Sequence, residues 1–585
     1  MIDASSSQVQ TARNAPATLA VKGDRLWQVL AWIAAGIVLM PLLSLGVLAS
    51  GSSGGVWTHL MSTVLPGSLR TTFLLMLGVG LATTLTGVTT AWLVTMCRFP
   101  GRGLFDWALL VPLAVPTYII AFAYVEVLQY SGPVQVAIRA VFGFTSARDY
   151  WFPELRSLGG AIFVMSAVLY PYVYLTARAS FLLQSAGTLD VARTLGAGPL
   201  RVFLTVALPL SRPAIAVGVS LALMECLNDI GAVTFFGVKT LTFSIYDTWL
   251  NRSNLAGAAQ LACAMLLVVF GLLTLERRAR ARQRFDQARG KQHAPTPYRL
   301  RGWRAGAAML ACALPVTLGF LVPASLLAER STRRLDVLAD PAFLRAASNS
   351  AFLAITASVL IVTLAIVLVY AVRLRLSNGG STGLRLAARI AAIGYAVPGT
   401  VLAVGILIPL ARFDNGLDAL MKQMFGFGTG LLLLGSGAGL IYAYLARFLA
   451  VAHGQVEDGF GKISPHLDMA ARTLGRRSTR ILAEIHLPLL KPVLLSALLI
   501  TFVDCMKELP ATILLRPFNF ETLATTVFEA ASREAFEDAA LPALTIVLVG
   551  LVPVILLART SARSFRDAAS KRATALTDQT TADRA

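Results

Sequence analysis

Long runs without charge alternate with short polar segments along the whole chain, and this alternation sets the first expectation of structure. Thr71–Cys97 contains no charged residue, and neither does Leu541–Ala558. About 20 apolar residues cross a hydrocarbon core of ~30 Å. Runs of that kind fall at 26–49, 70–97, 105–129, 158–182, 210–235 and 254–275, then at 304–328, 349–373, 385–411, 428–451, 489–515 and 538–558. The pattern predicts an all-α polytopic membrane protein with twelve transmembrane helices. The first run follows a polar head carrying Arg13, Lys22 and Arg25. It exceeds the roughly 7–15 residues of a signal-peptide core, so it is expected to be an uncleaved span with the amino terminus inside.

Composition agrees. Of 585 residues, 56% are hydrophobic and 14% charged, against roughly 25% charged in soluble domains. The net charge of +20 would suggest nucleic acid in a soluble chain. Here the excess arginine gathers at the ends of spans, as the positive-inside rule requires, so no nucleic-acid partner is expected. The five cysteines form no Cys-x-x-Cys pair, and neither a disulfide framework nor a zinc site is indicated. The five histidines are scattered, and neither a catalytic nor a metal-binding group is expected.

With the amino terminus inside, alternate loops are cytoplasmic. Arg98, Arg102, Arg373 and Arg375 fall on that side, and so do the segments around residues 192–196 and 471–475. Arg330, Arg333 and Arg334 fall on the outer side against the rule, partly balanced by Asp336 and Asp340. The basic stretch 277–303, with Pro295 and Pro297, predicts a cytoplasmic linker that anchors topology or meets lipid headgroups. Arg559, Arg563, Arg566, Lys571 and Arg572 place the tail 559–585 inside as well.

An internal repeat divides the chain. Ala-Arg-Thr-Leu-Gly occurs at Ala192–Gly196 and at Ala471–Gly475, 279 residues later. Thirteen residues after each glycine stands the proline of Leu208-Pro209-Leu210 or Leu487-Pro488-Leu489, and four residues on come Pro213 and Pro492. Thr71–Phe73 aligns with Ser350–Phe352 at the same offset, and Ala114-Val115-Pro116 with Ala396-Val397-Pro398 at 282. Two parallel six-span repeats follow, 26–276 (core 68–275, loop 185–208) and 304–558 (core 347–557, loop 464–487), after a cytoplasmic segment 1–25. In each loop a short helix is expected to start at Asp190 or Asp468, turn at a glycine tolerant of unusual backbone, and run on to a proline at the start of the next span. Such an elbow is a lever.

These residues resemble the cytoplasmic loop motif of binding-protein-dependent ABC importer permeases: Glu-Ala-Ala, three residues, Gly, nine residues, Ile-x-Leu-Pro. Asp190-Val191-Ala192, Gly196 and Val206-x-Leu208-Pro209 stand for it in the first copy. Met469-Ala470-Ala471, Gly475 and Ile485-x-Leu487-Pro488 do so in the second, with Asp468 one place before the expected acid. The resemblance implies that each loop helix docks on one of two ATP-hydrolysing subunits. This chain has no Gly-x-x-x-x-Gly-Lys-Ser/Thr loop, so ATP and Mg²⁺ belong to the partner and no cofactor is expected here.

A second pair of features recurs at the offset of 279: Glu225 and Asp229, then Asp504 and Glu508. Read as continuous helix, a spacing of four puts each pair on one face. A charge facing lipid at the bilayer centre costs roughly 2.5–3.5 kcal/mol, so these carboxylates are expected to face the bundle interior. They either guide a hard cation, which prefers oxygen ligands, or pair with Lys507 and with backbone near Gly231 and Pro510. The runs Tyr170–Leu175, Met224-Glu225, Met506–Thr512 and Glu521–Thr525 resemble fused permeases of ferric-iron importers. That likeness implies a bacterial inner-membrane subunit fed by a periplasmic binding protein. Thiamine, polyamine and phosphonate permeases share the loop motif. An ion-gradient-driven secondary transporter is the alternative of a different class, although its usual loop signature is missing from Cys97–Arg102.

Overall fold

The computed structural model describes residues 23–52, 54–184, 191–281, 297–376, 382–391 and 393–556. Among these, ten helices are long and apolar enough to cross a membrane, or eleven if one bent pair is a single span. In chain order the elements are α1 (Gly23–Ala49), α2 (Val56–Met96), α3 (Arg102–Ala114), α4 (Thr117–Leu128), α5 (Leu158–Leu183) and α6 (Pro199–Asn228). Then come α7 (Gly231–Phe235), α8 (Leu255–Ala281), α9 (Trp303–Arg333), α10 (Pro341–Leu376), α11 (Thr382–Ala391) and α12 (Gly399–Phe425). The rest are α13 (Ala438–Gly461), α14 (Pro465–Thr473), α15 (Ser478–Met506), α16 (Pro510–Leu515), α17 (Leu523–Ser532) and α18 (Phe536–Leu556).

Five expected spans differ from unbroken helices. The run 105–129 is the bent pair, turned by 92° between α3 and α4. Val115 is extended (φ −102°, ψ 118°) because the ring of Pro116 bars it from helical geometry. The run 385–411 breaks in the same way before Pro398, with α12 starting at Gly399. The runs 210–235 and 489–515 end as helices at Asn228 and Met506. The run 428–451 is shifted: Gly426 and Gly430 adopt left-handed geometry and the helix starts only at Ala438. With Arg447, His453, Glu457 and Asp458 in its sequence, α13 falls outside the set of ten.

Four of the prolines inside the spans share one device. Five-residue π turns occupy Leu60–Val64, Phe203–Ala207, Thr317–Leu321 and Leu482–His486. Each ends two residues before a proline: Pro66, Pro209, Pro323 and Pro488. Proline lacks the N–H that would bond four residues back, and its ring crowds that carbonyl. A widened turn upstream relieves the crowding without ending the helix. Pro209 therefore lies inside α6 rather than at the start of a span.

The chain forms two compact units, Met1–Met40 with Ser358–Tyr395 and Leu445–Thr501, and Pro41–Ala357 with Ala396–Tyr444 and Phe502–Ala585. These cut across the sequence repeats, because the first helix of each half packs on the other half. In the smaller unit Trp27 of α1 meets Tyr370 of α10 edge-on at 5.1 Å. In the larger unit Tyr124 of α4 donates to the Leu318 carbonyl of α9 at 2.7 Å.

Two features of the larger unit concern charge and chain linkage. The outer arginines of the sequence are neutralised locally. Arg330 pairs with Glu126 at 2.6 Å and Glu537 at 3.7 Å, Arg334 with Asp538 at 2.9 Å and Arg333 with Glu329 at 2.5 Å. At the far end of α2, strand β1 (Cys97–Arg98) pairs in parallel with β2 (Tyr298–Arg299), pinning the end of the linker region. None of the five cysteines is in a disulfide. Burial pushes the Cys97 thiol up to about 11, so it acts as packing and not as a reactive thiolate.

Candidate functional site

The two elbows have the same local geometry. Residues 191–194 are helical, and Gly196 closes them at φ 82°. Ala197 N donates to Ala192 O at 3.1 Å, and Gly196 N to Arg193 O at 2.9 Å. In the second copy α14 is closed by Gly475 at φ 75°, with Arg476 N donating to Ala471 O at 3.0 Å and Gly475 N to Arg472 O at 2.9 Å. The six-to-one bond with a left-handed glycine is a Schellman closure, which satisfies carbonyls the helix end leaves open. Helix then resumes at Pro199 and at Ser478. Asp190 lies outside the described residues.

Beside each glycine a leucine stands in solvent, Leu195 at 82% exposure and Leu474 at 81%. Val191, Leu200, Leu467 and Met469 are exposed near them. Apolar side chains presented this way in clusters mark a contact surface. The sequence reading missed these leucines, although each is the fourth residue of the repeated pentapeptide. Ala192, Leu208, Pro209 and Leu487 are half-buried, Ala470 and Pro488 exposed, and Ala471 buried.

Each elbow rests on three rings. Trp92 of α2 lies 5.5 Å from Phe181 and 4.9 Å from Phe203, the latter in the π turn after the first elbow. In the other unit Tyr370 of α10 lies 6.1 Å from Phe460 and 5.6 Å from His486, the latter in the π turn after the second. Each elbow is thus packed on helix through aromatic contacts.

The braces differ. The Arg193 guanidinium stands 4.2 Å from the centroid of the Tyr298 ring and its Nε donates to Tyr298 Oη at 2.9 Å, tying the first elbow to β2. A cation over an aromatic ring is worth roughly 0.5–2 kcal/mol. Tyr298→Ala is expected to raise protease sensitivity at residues 191–198 several-fold while helix content is unchanged, as measured by limited proteolysis in detergent. In the second copy Asp468 accepts from Arg373 Nε at 2.7 Å and meets His486 Nε2 at 2.5 Å. Its carboxylate is spent on an internal triad.

The four acidic residues of the pathway reading do not form two helix-face pairs. Helix α6 ends at Asn228, and Asp229 is extended (ψ 108°), its Oδ1 accepting from Ala232 N at 2.8 Å at the head of α7. Glu508 lies past the end of α15 and accepts from Ala511 N and Thr512 N, both at 3.0 Å, at the head of α16. A short carboxylate that captures backbone N–H competes with helix continuation, and here it wins in both repeats. Asp504 pairs with Lys507 at 2.8 Å. Glu225 is half-buried within α6. Among the described residues no group of three His, Cys, Asp or Glu side chains is placed to hold a metal.

Repeated membrane-spanning halves, each with a glycine-closed elbow that exposes a leucine, define a multi-pass membrane component of a transport system. The comparisons agree: residues 83–284 match the family described as binding-protein-dependent transport system inner membrane component. The chain is 30% identical over 201 residues to the molybdenum transport system permease protein ModB of Escherichia coli, covering 33% of this chain and 84% of that one. It is 25% identical over 506 residues to the Fe(3+)-transport system permease protein FbpB 2 of Haemophilus influenzae, covering 84% of this chain and 89% of that one. A putative 2-aminoethylphosphonate transport system permease protein, PhnU of Salmonella paratyphi A, is 29% identical over 202 residues, 34% of this chain. This chain belongs to the family of binding-protein-dependent transport system inner membrane components and is a multi-pass inner-membrane protein.

Proposed function

We propose that this chain is the permease subunit of an ATP-driven importer of ferric iron. Two separate ATPase subunits, holding ATP and Mg²⁺, engage the elbows at Leu195-Gly196 and Leu474-Gly475, together with Ala192, Ala470 and Ala471. A periplasmic binding protein delivers the ion to the outer side, and both termini lie in the cytoplasm. The observation that carries this is the recurrence, 279 residues apart, of one Schellman elbow with one exposed leucine. Leu208-Pro209 and Leu487-Pro488, each after a π turn, pass the movement into α6 and α15.

Ferric iron is favoured over the other relatives' cargoes on two grounds. The Fe(3+) relative matches along 84% of this chain, whereas the molybdenum relative matches 33%. Asp229 and Glu508 both lie near Tyr118 at the broken helices, with Glu225 near Asp229, and carboxylates repel an oxyanion while attracting a hard cation. Deletion of the gene is expected to remove uptake of labelled ferric iron and leave uptake of labelled molybdate and thiamine intact. Unchanged iron uptake with loss of either of the others would refute the assignment of cargo.

A further inference from the structure

Four chain breaks lie side by side in the larger unit, and their polar groups are not equally satisfied. Helix α7 packs on α4 and α16 on α12, the same pairing in each repeat. A Cβ on Gly231 would come within 2.5 Å of Tyr118 Cβ and 3.0 Å of Leu509 Cδ2, so backbone, ring and the second break are in contact. Gly399 N donates to Asn228 Oδ1 at 2.7 Å, joining the remaining break. Equivalent positions in the repeats are Tyr118 and Thr400, and Asp229 and Glu508.

On the second-repeat side the carboxylate is saturated. Besides the two backbone donors, Glu508 Oε2 accepts from Thr512 Oγ1 at 2.7 Å, which also bonds Tyr444 Oη at 2.7 Å. On the first-repeat side Asp229 Oδ1 takes Ala232 N, with Thr117 and the Gly231 amide beside the carboxylate. Asp229 Oδ2 and Tyr118 Oη have no hydrogen-bonding partner among the described residues. Asp229 is 7% exposed and Tyr118 4%, and both carboxylates lie within electrostatic reach of the phenol. Thr400 Oγ1 is likewise buried and unpartnered. Buried oxygens without partners are costly, and their retention calls for a ligand.

We infer that Tyr118 and Asp229 form a contact site for the transported ion, a hard, oxygen-seeking trivalent cation that keeps most of its water or chelator as it passes. The inference rests on the importer function proposed above and assigns the residues that meet its cargo. Phenol and carboxylate oxygens are the donors such an ion prefers. Two protein donors, rather than a full cage, hold it weakly enough to release, which a conduit needs.

The test uses the full chain with its ATPase subunits, titrated with ferric citrate. Coordination displaces the Tyr118 phenol proton, which passes to the citrate or water of the titrant, so a ferric–phenolate charge-transfer band is expected in the unmodified protein and is expected to vanish in Tyr118→Phe. Asp229→Asn, which keeps the acceptor for Ala232 N, is expected to weaken the band roughly tenfold in apparent affinity. Iron uptake should fall roughly tenfold in Tyr118→Phe while ATPase stimulation by the binding protein persists. Thermal stability should be unchanged or higher, because the variant removes an unpartnered hydroxyl. No band in the unmodified protein, a band that survives Tyr118→Phe, or normal uptake by that variant would overturn the site. An unmodified protein that fails to stimulate or retain the ATPase would instead overturn the importer function.

Discussion

Replacing both Gly196 and Gly475 by leucine is expected to abolish ATPase retention and iron uptake while membrane insertion stays normal. Nothing lies within 4 Å of a Cβ built on either glycine, so no clash is involved. The effect comes from the backbone, at φ 82° and 75°. A residue with a Cβ pays roughly 1–2 kcal/mol to adopt that conformation. Two elbows acting together would lose roughly 2–4 kcal/mol, a hundredfold or so in the population of the closed shape. Asparagine tolerates left-handed geometry far better, so the double Gly→Asn variant should keep most of its uptake. Co-purification of the ATPase and labelled-iron uptake check both variants; normal uptake by the leucine variant would rule out the lever.

Asp468→Ala should be the most destabilising single change in the smaller unit. It takes the carboxylate from the Arg373 guanidinium, whose side chain is 15% exposed and keeps neutral partners such as the Phe460 and Ile463 carbonyls, and from the fully buried His486. Breaking a buried ion pair from one side costs roughly 3–5 kcal/mol, because the remaining charge loses its partner in a dry site. Replacing Arg373 and Asp468 together by Met and Leu should recover much of that loss, since no charge is then left alone. Thermal unfolding in detergent and the yield of folded protein report both outcomes. A variant of normal stability that merely loses the ATPase would show that Asp468 points outward after all.

The parts of the structure that depend on neighbours in sequence were readable from the chain. Apolar runs gave the helices, and the spaced pair of pentapeptides located both glycine elbows correctly to the residue. What failed was the assumption that an apolar run is one helix. Asp229 and Glu508 looked like helix-face residues because they lie four places from Glu225 and Asp504. Only the competition between side-chain carboxylate and backbone carbonyl for the next N–H groups decides that the helix stops there. Val115-Pro116 and Val397-Pro398 did carry a local signal for their breaks, masked by the apolar residues on both sides. Partners distant in sequence carried none: Asp468 finds Arg373 95 residues away, and Arg330 finds Glu126 and Glu537. The exposed leucines were hidden differently, since an apolar residue on an apolar-flanked helix reads as core until its burial is known.

The exchange of first helices sets an order of events during synthesis. Trp27 emerges from the ribosome well before Tyr370, the ring it packs against. At translation speeds of about 5–20 residues per second, α1 waits roughly 20–70 s in lipid before its seat exists. The amino-terminal half made alone would carry a helix with no seat of its own, and the carboxyl-terminal half alone would carry α9 without Tyr124. A chain that stops at the linker therefore leaves α1 without the Tyr370 ring it packs against.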